Sequence, residues 1–231
     1  MDWPLAIDRN RKALSPIIAA LFALVSAAMG GLNAGGKALM LPRRVYDAIL
    51  LVLRPAESAV RRLILIAAYK LSVKPRASGP LPAGLAGFAE ASGSKVPSFC
   101  LFDPLKHFDI DDYDNNALPR FSFDSSCDPE FQAPHMSQPD MPVNATLLFA
   151  RLRALRHALN DLPKQARRLA RWQARRDLLL KSKAPFKPMR MSIVRPGLPP
   201  GWRQRSIHAV DDVLRECHGL ARDLLNGPDT G

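Results

Sequence analysis

Residues 13–36 read ALSPIIAALFALVSAAMGGLNAGG, a run without a charged side chain, bracketed by Arg9, Arg11 and Lys12 before it and by Lys37, Arg43 and Arg44 after it. A helix needs roughly 20 apolar residues to cross the hydrocarbon of a bilayer. Leu14 to Leu32 offers 19, diluted by Ser15, Pro16, Ser26, Gly30 and Gly31, and the dense part runs only from Ile17 to Met29. Three readings fit this stretch: a single transmembrane helix over residues 14–32, a signal peptide, or a buried Ala/Gly helix of a soluble fold. The signal-peptide reading has small residues at Val25-Ser26-Ala27, but Asp2 and Asp8 interrupt its basic start. The span rule favours the anchor. Lys37, Arg43, Arg44 and Arg54 then outweigh Arg9, Arg11 and Lys12, which leaves the bulk of the chain cytoplasmic. Export after cleavage is the alternative.

Outward from this stretch, residues 41–71 read LPRRVYDAILLVLRPAESAVRRLILIAAYKL. Pro42 and Pro55 each suit a first helical turn, so two helices are expected to meet near Arg54-Pro55. In the second, Ala56, Ala59, Val60, Leu63, Ala67 and Leu71 recur at three- and four-residue steps and form one apolar stripe. Glu57 and Arg61 are expected to pair on its solvent side. With Arg43, Arg44, Arg61 and Arg62 facing phosphates, such a helix suits a membrane interface; a core helix of a small bundle has the same periodicity.

The charge is arranged in blocks. Of the formal +12, residues 1–76 carry +8, residues 77–150 carry −7, residues 151–190 carry +11, and the remainder balances. Such blocks attract phosphates, anionic lipid or acidic proteins, and the sign alone does not choose among them. Aromatic residues make up only 7% of the chain and prolines number 21, so the apolar content is mainly Ala and Leu, which suits helices joined by extended segments. Cys100, Cys127 and Cys217 form no C-x-x-C pair, which argues against a disulfide framework or a cysteine zinc site.

Between Lys74 and Pro142 there are ten prolines and four glycines and no sustained helical period, the composition of a linker. Its short apolar patches, Phe99-Cys100-Leu101-Phe102 among them, are expected to dock on the protein's own helices. Asp112, Asp114 and Asn116 imitate the start of a calcium loop, but Ala117 and Phe123 stand where that loop needs Gly and Glu.

Asn144 is placed to cap a helix in which Ala145, Leu148, Leu152, Leu155, Leu159 and Leu162 form a heptad seam. Asp161-Leu162-Pro163 then breaks the chain, with Asp161 capping a second helix to about Ser182. Lys164, Arg167, Arg168, Arg171, Arg175 and Arg176 cover most of that helix and make it the candidate surface for an anionic partner. Membrane lipid or an acidic protein is the expected partner. Nucleic acid is the weaker alternative, because no helix-turn-helix, finger or RNA-binding signature accompanies the arginines.

Residues 183–205 form a basic, proline-rich connector. Ser206 is expected to cap a last helix whose seam is Ile207, Val210, Leu214, Cys217, Ala221 and Leu224, with Cys217 a buried thiol. His208, Asp212 and Glu216 follow at i, i+4 and i+8 on the other face. That spacing could present metal ligands along one side, but surface pairing with Arg215 or solvent is the expected outcome. No phosphate loop, dinucleotide fingerprint, H-E-x-x-H or G-x-S-x-G occurs, so neither an enzyme nor a cofactor is expected.

Several islands resemble a family of alphaproteobacterial proteins with no assigned activity. They are Arg54-Pro55-Ala56-Glu57 with Ala59-Val60-Arg61-Arg62-Leu63-Ile64, then Leu101-Phe102-Asp103-Pro104-Leu105, Ala170-Arg171-Trp172, and Arg195-Pro196-Gly197-x-Pro199-Pro200-Gly201. The resemblance implies a bacterial protein with an apolar N-terminus and no particular reaction. The resulting expectation is a mainly α chain with little or no β structure. It comprises a membrane-associated helical region (1–73), an acidic linker (74–143), a basic helical hairpin (144–182), a connector (183–205) and a C-terminal amphipathic helix (206–226). Its expected role is a basic adaptor tethered to the bacterial inner membrane.

Overall fold

In the computed structural model, which describes residues 2–30, 39–69, 71–73, 97–104, 141–181 and 192–226, the chain is mainly α. The calcium-like stretch, Cys127 and most of residues 74–143 and 183–191 lie outside the described residues.

Helix α1 (Trp3–Gly30) begins well before the uncharged run. Asp2 explains the early start: its carboxylate accepts the Leu5 N–H at 3.3 Å and its carbonyl accepts that of Ala6 at 3.1 Å. Ala6, Asn10, Leu14, Ile17, Ile18, Leu21 and Val25 are buried along one stripe, whereas Ala19, Ala20, Ala23, Leu24 and Ala27 face outward. This helix is long and apolar enough to cross a membrane.

The two helices expected around Pro55 are one continuous helix, α2 (Arg43–Ala68), with Pro55 inside it. An internal proline cannot donate to the carbonyl four residues back and typically costs about 3 kcal/mol. Here that carbonyl, Leu51 O, accepts instead from Arg203 Nη2 at 2.5 Å. The turn that carries Arg203 is closed by Trp202 N–H on Pro199 O at 3.1 Å, and Ser58 Oγ donates to Pro200 O at 2.7 Å. Gly201 sits at φ +80° with the position of a Cβ only 2.6 Å from Pro55 N, so this backbone approach requires glycine. The Pro-Pro-Gly-Trp-Arg turn thus covers the break in α2 and supplies the donor that Pro55 lacks.

Strands β1 (Met40–Pro42) and β2 (Pro142–Asn144) pair antiparallel, with Leu41 opposite Val143, and bring the start of α2 beside the start of the basic region. Helix α3 (Thr146–Asn160) follows, its first N–H taken by Asn144 Oδ1 at 3.0 Å, and its seam of Leu148, Leu152, Leu155 and Leu159 is buried. Helix α4 (Leu162–Lys181) starts with Asp161 Oδ1 accepting the Lys164 N–H at 3.3 Å. The two do not close on each other as a self-contained hairpin: they meet at their joint, and α4 packs chiefly along α2.

Helix α5 (Ala209–Asn226) is capped differently from expectation. Ser206 Oγ donates to His208 O and does not cap. Asp211 Oδ2 accepts the N–H groups of Ile207 and His208 at 3.0 and 3.1 Å, and His208 Nδ1 accepts that of Val210 at 3.3 Å. Ile207 consequently stays outside the helix and is 76% exposed, while Val210, Leu214, Cys217, Ala221 and Leu224 are buried. Helix α2 is central to the molecule. The five helices of the described residues, with Phe99, Leu101 and Ile193, contribute to one hydrophobic core around it.

Candidate anion-binding surface

Below the basic surface lies a set of buried charges that fixes its shape. Glu57 and Arg61, expected to pair on the solvent side, and Arg62, expected to face phosphates, are 7%, 5% and 0% exposed. They turn inward because the described end of the linker brings Asp103, also 0% exposed, against α2. Arg62 Nη2 donates to Asp103 Oδ2 at 3.0 Å, Nη1 to Ser58 O at 2.7 Å, and Nε to His218 Nδ1 at 3.3 Å. Arg61 reaches Asp103 Oδ1 at 3.4 Å, Glu57 Oε2 at 3.3 Å and Cys100 O at 3.0 Å. Burial pulls the Arg62 guanidinium below its usual pKa despite the opposing attraction of Asp103. The same desolvation, with Arg62 and Arg222 nearby, lowers that of His218.

This clasp positions two flanking elements. Glu57 takes Arg151 of α3 through both carboxylate oxygens, from Nε at 3.0 Å and Nη2 at 2.9 Å, and this bonding raises the Arg151 pKa against its partial burial. Residues 97–104 are held as a strap along α2: Asp103 N–H donates to Ile193 O at 3.0 Å, Phe99 and Leu101 are buried, and the Phe102 ring meets Trp172 edge-on at 4.9 Å. The apolar patch at residues 99–102 therefore docks in cis.

Around this frame α3 and α4 expose two basic clefts. The first, about 460 Å³, is lined by Phe22, Phe149, Arg153, Arg156, His157 and Asn160. The second, about 370 Å³, is lined by Ala154, His157, Lys164, Gln165, Arg168 and Arg171 together with residues 97–99. His157 borders both, so the two adjoin as a groove along α3, and among the described residues no carboxylate lines either. Arg156 lies over the Phe22 ring at 4.8 Å, and Phe22 meets Phe149 edge-on at 6.0 Å.

Of the six cationic residues singled out on α4, the groove gathers Lys164, Arg168 and Arg171. Arg167 points elsewhere, to an apolar hollow beside Arg11 and Leu162. Arg175 is exposed and lines neither cleft. Arg176 binds Asp177 at 2.8 Å and lies over the Trp172 ring at 5.5 Å. Among the described residues Arg153, Arg167, Arg171 and Arg175 have no hydrogen-bonding or ionic partner. The contribution of Arg153, Arg156 and His157 was hidden in the sequence by the leucine seam of α3. These residues stand off that seam, and a helical-wheel count of its remaining face would have found them.

His208, Asp212 and Glu216 do not form a site. Asp212 pairs with Arg215 at 3.7 Å, Glu216 accepts from Arg9 and, at 2.9 Å, from Asn10 Nδ2, and His208 serves the helix cap. Cys217 is buried, and burial pushes its thiol pKa up to about 12. The described residues hold no group of three His, Cys, Asp or Glu side chains able to share a metal ion.

Fold and surface together define a basic helical bundle with an arginine-lined groove, braced from beneath by buried ion pairs. Comparison with known protein families, with curated proteins and with solved structures finds no match for this chain.

Proposed function

We propose that this protein is a membrane-associated basic adaptor of the bacterial inner membrane, whose α3–α4 groove holds an anionic partner on the cytoplasmic side. The supporting observation is the groove itself: Arg153 and Arg171 without a described partner, beside Arg156, Lys164 and Arg168, and no acid among the described residues that line either cleft. Guanidinium groups that line one cleft, as Arg153 and Arg156 do in the first and Arg168 and Arg171 in the second, repel one another, and an anionic surface relieves that repulsion.

Association along the membrane surface fits the packing better than a single crossing. The buried stripe of α1 is already covered by protein, and Arg156 stacks on Phe22 in the middle of its apolar run, where a crossing would carry a guanidinium into hydrocarbon. The outer face of Ala19, Ala20, Ala23 and Leu24 then rests against the lipid interface, with the basic groove toward the headgroups.

Co-sedimentation of the full chain with phosphatidylcholine vesicles, with and without phosphatidylglycerol, tests this reading. Binding is expected only to the anionic vesicles and weakens as salt is raised, at about 1 kcal/mol per engaged cation in low salt. A chain that stays in the supernatant with anionic vesicles at low salt removes the proposal.

A further inference from the structure

The second cleft has the more specific chemistry. Arg168 is held in one orientation, because its Nη1 donates to Phe99 O at 2.8 Å and approaches Gln165 Oε1 at 3.4 Å. Phe99 is itself buried, and the strap that carries it is tied down by Arg61 on the next carbonyl, Cys100 O, at 3.0 Å. The guanidinium is therefore placed by the core beneath it. Arg171 stands one turn further along α4 with no described partner, and Lys164 one turn earlier, where its nearest acid is Asp161 at 3.9 Å. His157 and Gln165 line the same cleft, with Ala154 and residues 97–99. Three cations, an imidazole and an amide thus converge on a space of about 370 Å³, one of the cations held in place in advance.

We infer that this cleft is a phosphomonoester site, occupied by the headgroup phosphate of an acidic membrane lipid; the inference rests on the membrane-surface reading above. A phosphomonoester presents three unesterified oxygens and close to two negative charges, so Lys164, Arg168 and Arg171 can each take a separate oxygen. A phosphodiester offers two such oxygens and a single charge, which leaves one cation without a partner. The source is assigned to lipid because His157 joins this cleft to one lined by Phe22, on the same helix that exposes Ala19, Ala23 and Leu24. A phosphate bound here sits beside an apolar face able to meet the acyl region.

The full chain is to be sedimented with phosphatidylcholine vesicles containing either phosphatidic acid or enough phosphatidylglycerol to match the surface potential. Phosphatidic acid is expected to bind roughly fivefold more tightly, the gain from one additional charge-assisted contact. Arg171→Gln abolishes that preference. Arg175→Gln, on the same helix but outside both clefts, lowers binding to the two lipids equally and keeps it. Both positions are on the surface, and unchanged melting temperatures confirm that the variants fold. Equal binding of the two lipids by the parent chain, or the same behaviour from both variants, overturns the site and leaves the adaptor reading standing. Binding to neither vesicle overturns both. Inorganic phosphate titrated without vesicles separates the two sources of the group: millimolar binding is expected, and binding as tight as to vesicles overturns the lipid assignment. So does displacement from phosphatidic acid vesicles by an equal concentration of a short 5′-phosphorylated single-stranded oligonucleotide.

Discussion

Asp103 is fully buried with its charge, and there it meets Arg61, Arg62 and the Arg195 N–H. A buried pair of this kind adds little over a well-packed apolar pair, yet removing one member strands the other. Asp103→Asn should therefore cost about 3–5 kcal/mol in urea unfolding, because Arg62 stays charged and buried. Replacing Asp103 and Arg62 together by leucine should recover much of that loss, and failure to recover it would show that the strap needs the carboxylate for more than charge balance. His218 adds a pH dependence to the same cluster. Its Nδ1 accepts from Arg62, so the ring is neutral there, and protonation both breaks that bond and places a cation beside Arg62. The native pKa lies below the ordinary value of 6.5, so below that pH the unfolded chain binds more protons than the native one. The His218 contribution is thus complete above 6.5 and is lost as pH falls through the lowered native value. Stability is expected to decline as pH falls below 6.5, and His218→Gln, which accepts a hydrogen bond without titrating, should flatten the decline. An unchanged slope in that variant assigns the dependence to other groups.

The continuity of α2 is a property of two elements rather than one. Pro55 leaves Leu51 O without its helical donor, and Arg203 supplies one from a turn far along the chain. A double-mutant cycle follows directly. Arg203→Ala in the parent chain loses that hydrogen bond as well as the pair with Asp211, whereas in a Pro55→Ala background the helix satisfies Leu51 O by itself. The two substitutions should couple by about 1 kcal/mol, and strict additivity would mean that Arg203 does not repair the break. The same pairing shows why the sequence reads as two helices at this point. Local rules place a proline at a helix start, and nothing within several turns of Pro55 reveals the compensating arginine. Apolar seams, by contrast, depend on neighbours three and four residues away, so those of α3 and α5 are legible, as is the break at Asp161. The burial of Glu57, Arg61 and Arg62 is not legible, because charged side chains go inside only when a partner from elsewhere meets them, and here the partner is Asp103. At the surface the arginines of α4 are visible as a charge run. The groove is not, since half of its lining comes from α3 and its floor from the strap.

At the scale of the whole molecule, the fate of α1 decides both stability and placement. Leu14, Ile17, Ile18, Leu21 and Val25 are buried against the rest of the bundle, and Asn10 and Arg9 bind Glu216 of α5. At roughly 1.5–3 kcal/mol for each large apolar side chain, those five contribute on the order of 7–15 kcal/mol of burial. The net stability of a domain is itself only about 5–15 kcal/mol, so the bundle cannot lose this helix and keep its core. Cleavage near Val25-Ser26-Ala27 would remove the stripe almost entirely, and it would remove Phe22 from the groove. A chain lacking residues 1–30 is therefore expected to show no cooperative thermal transition by circular dichroism and no preference for anionic vesicles. The full chain recovered from cells should give an intact mass that includes α1. A truncated chain that melts sharply at the parent temperature would show that the remaining helices close their own core, and the cleaved-signal reading of residues 13–36 would then replace the one argued here.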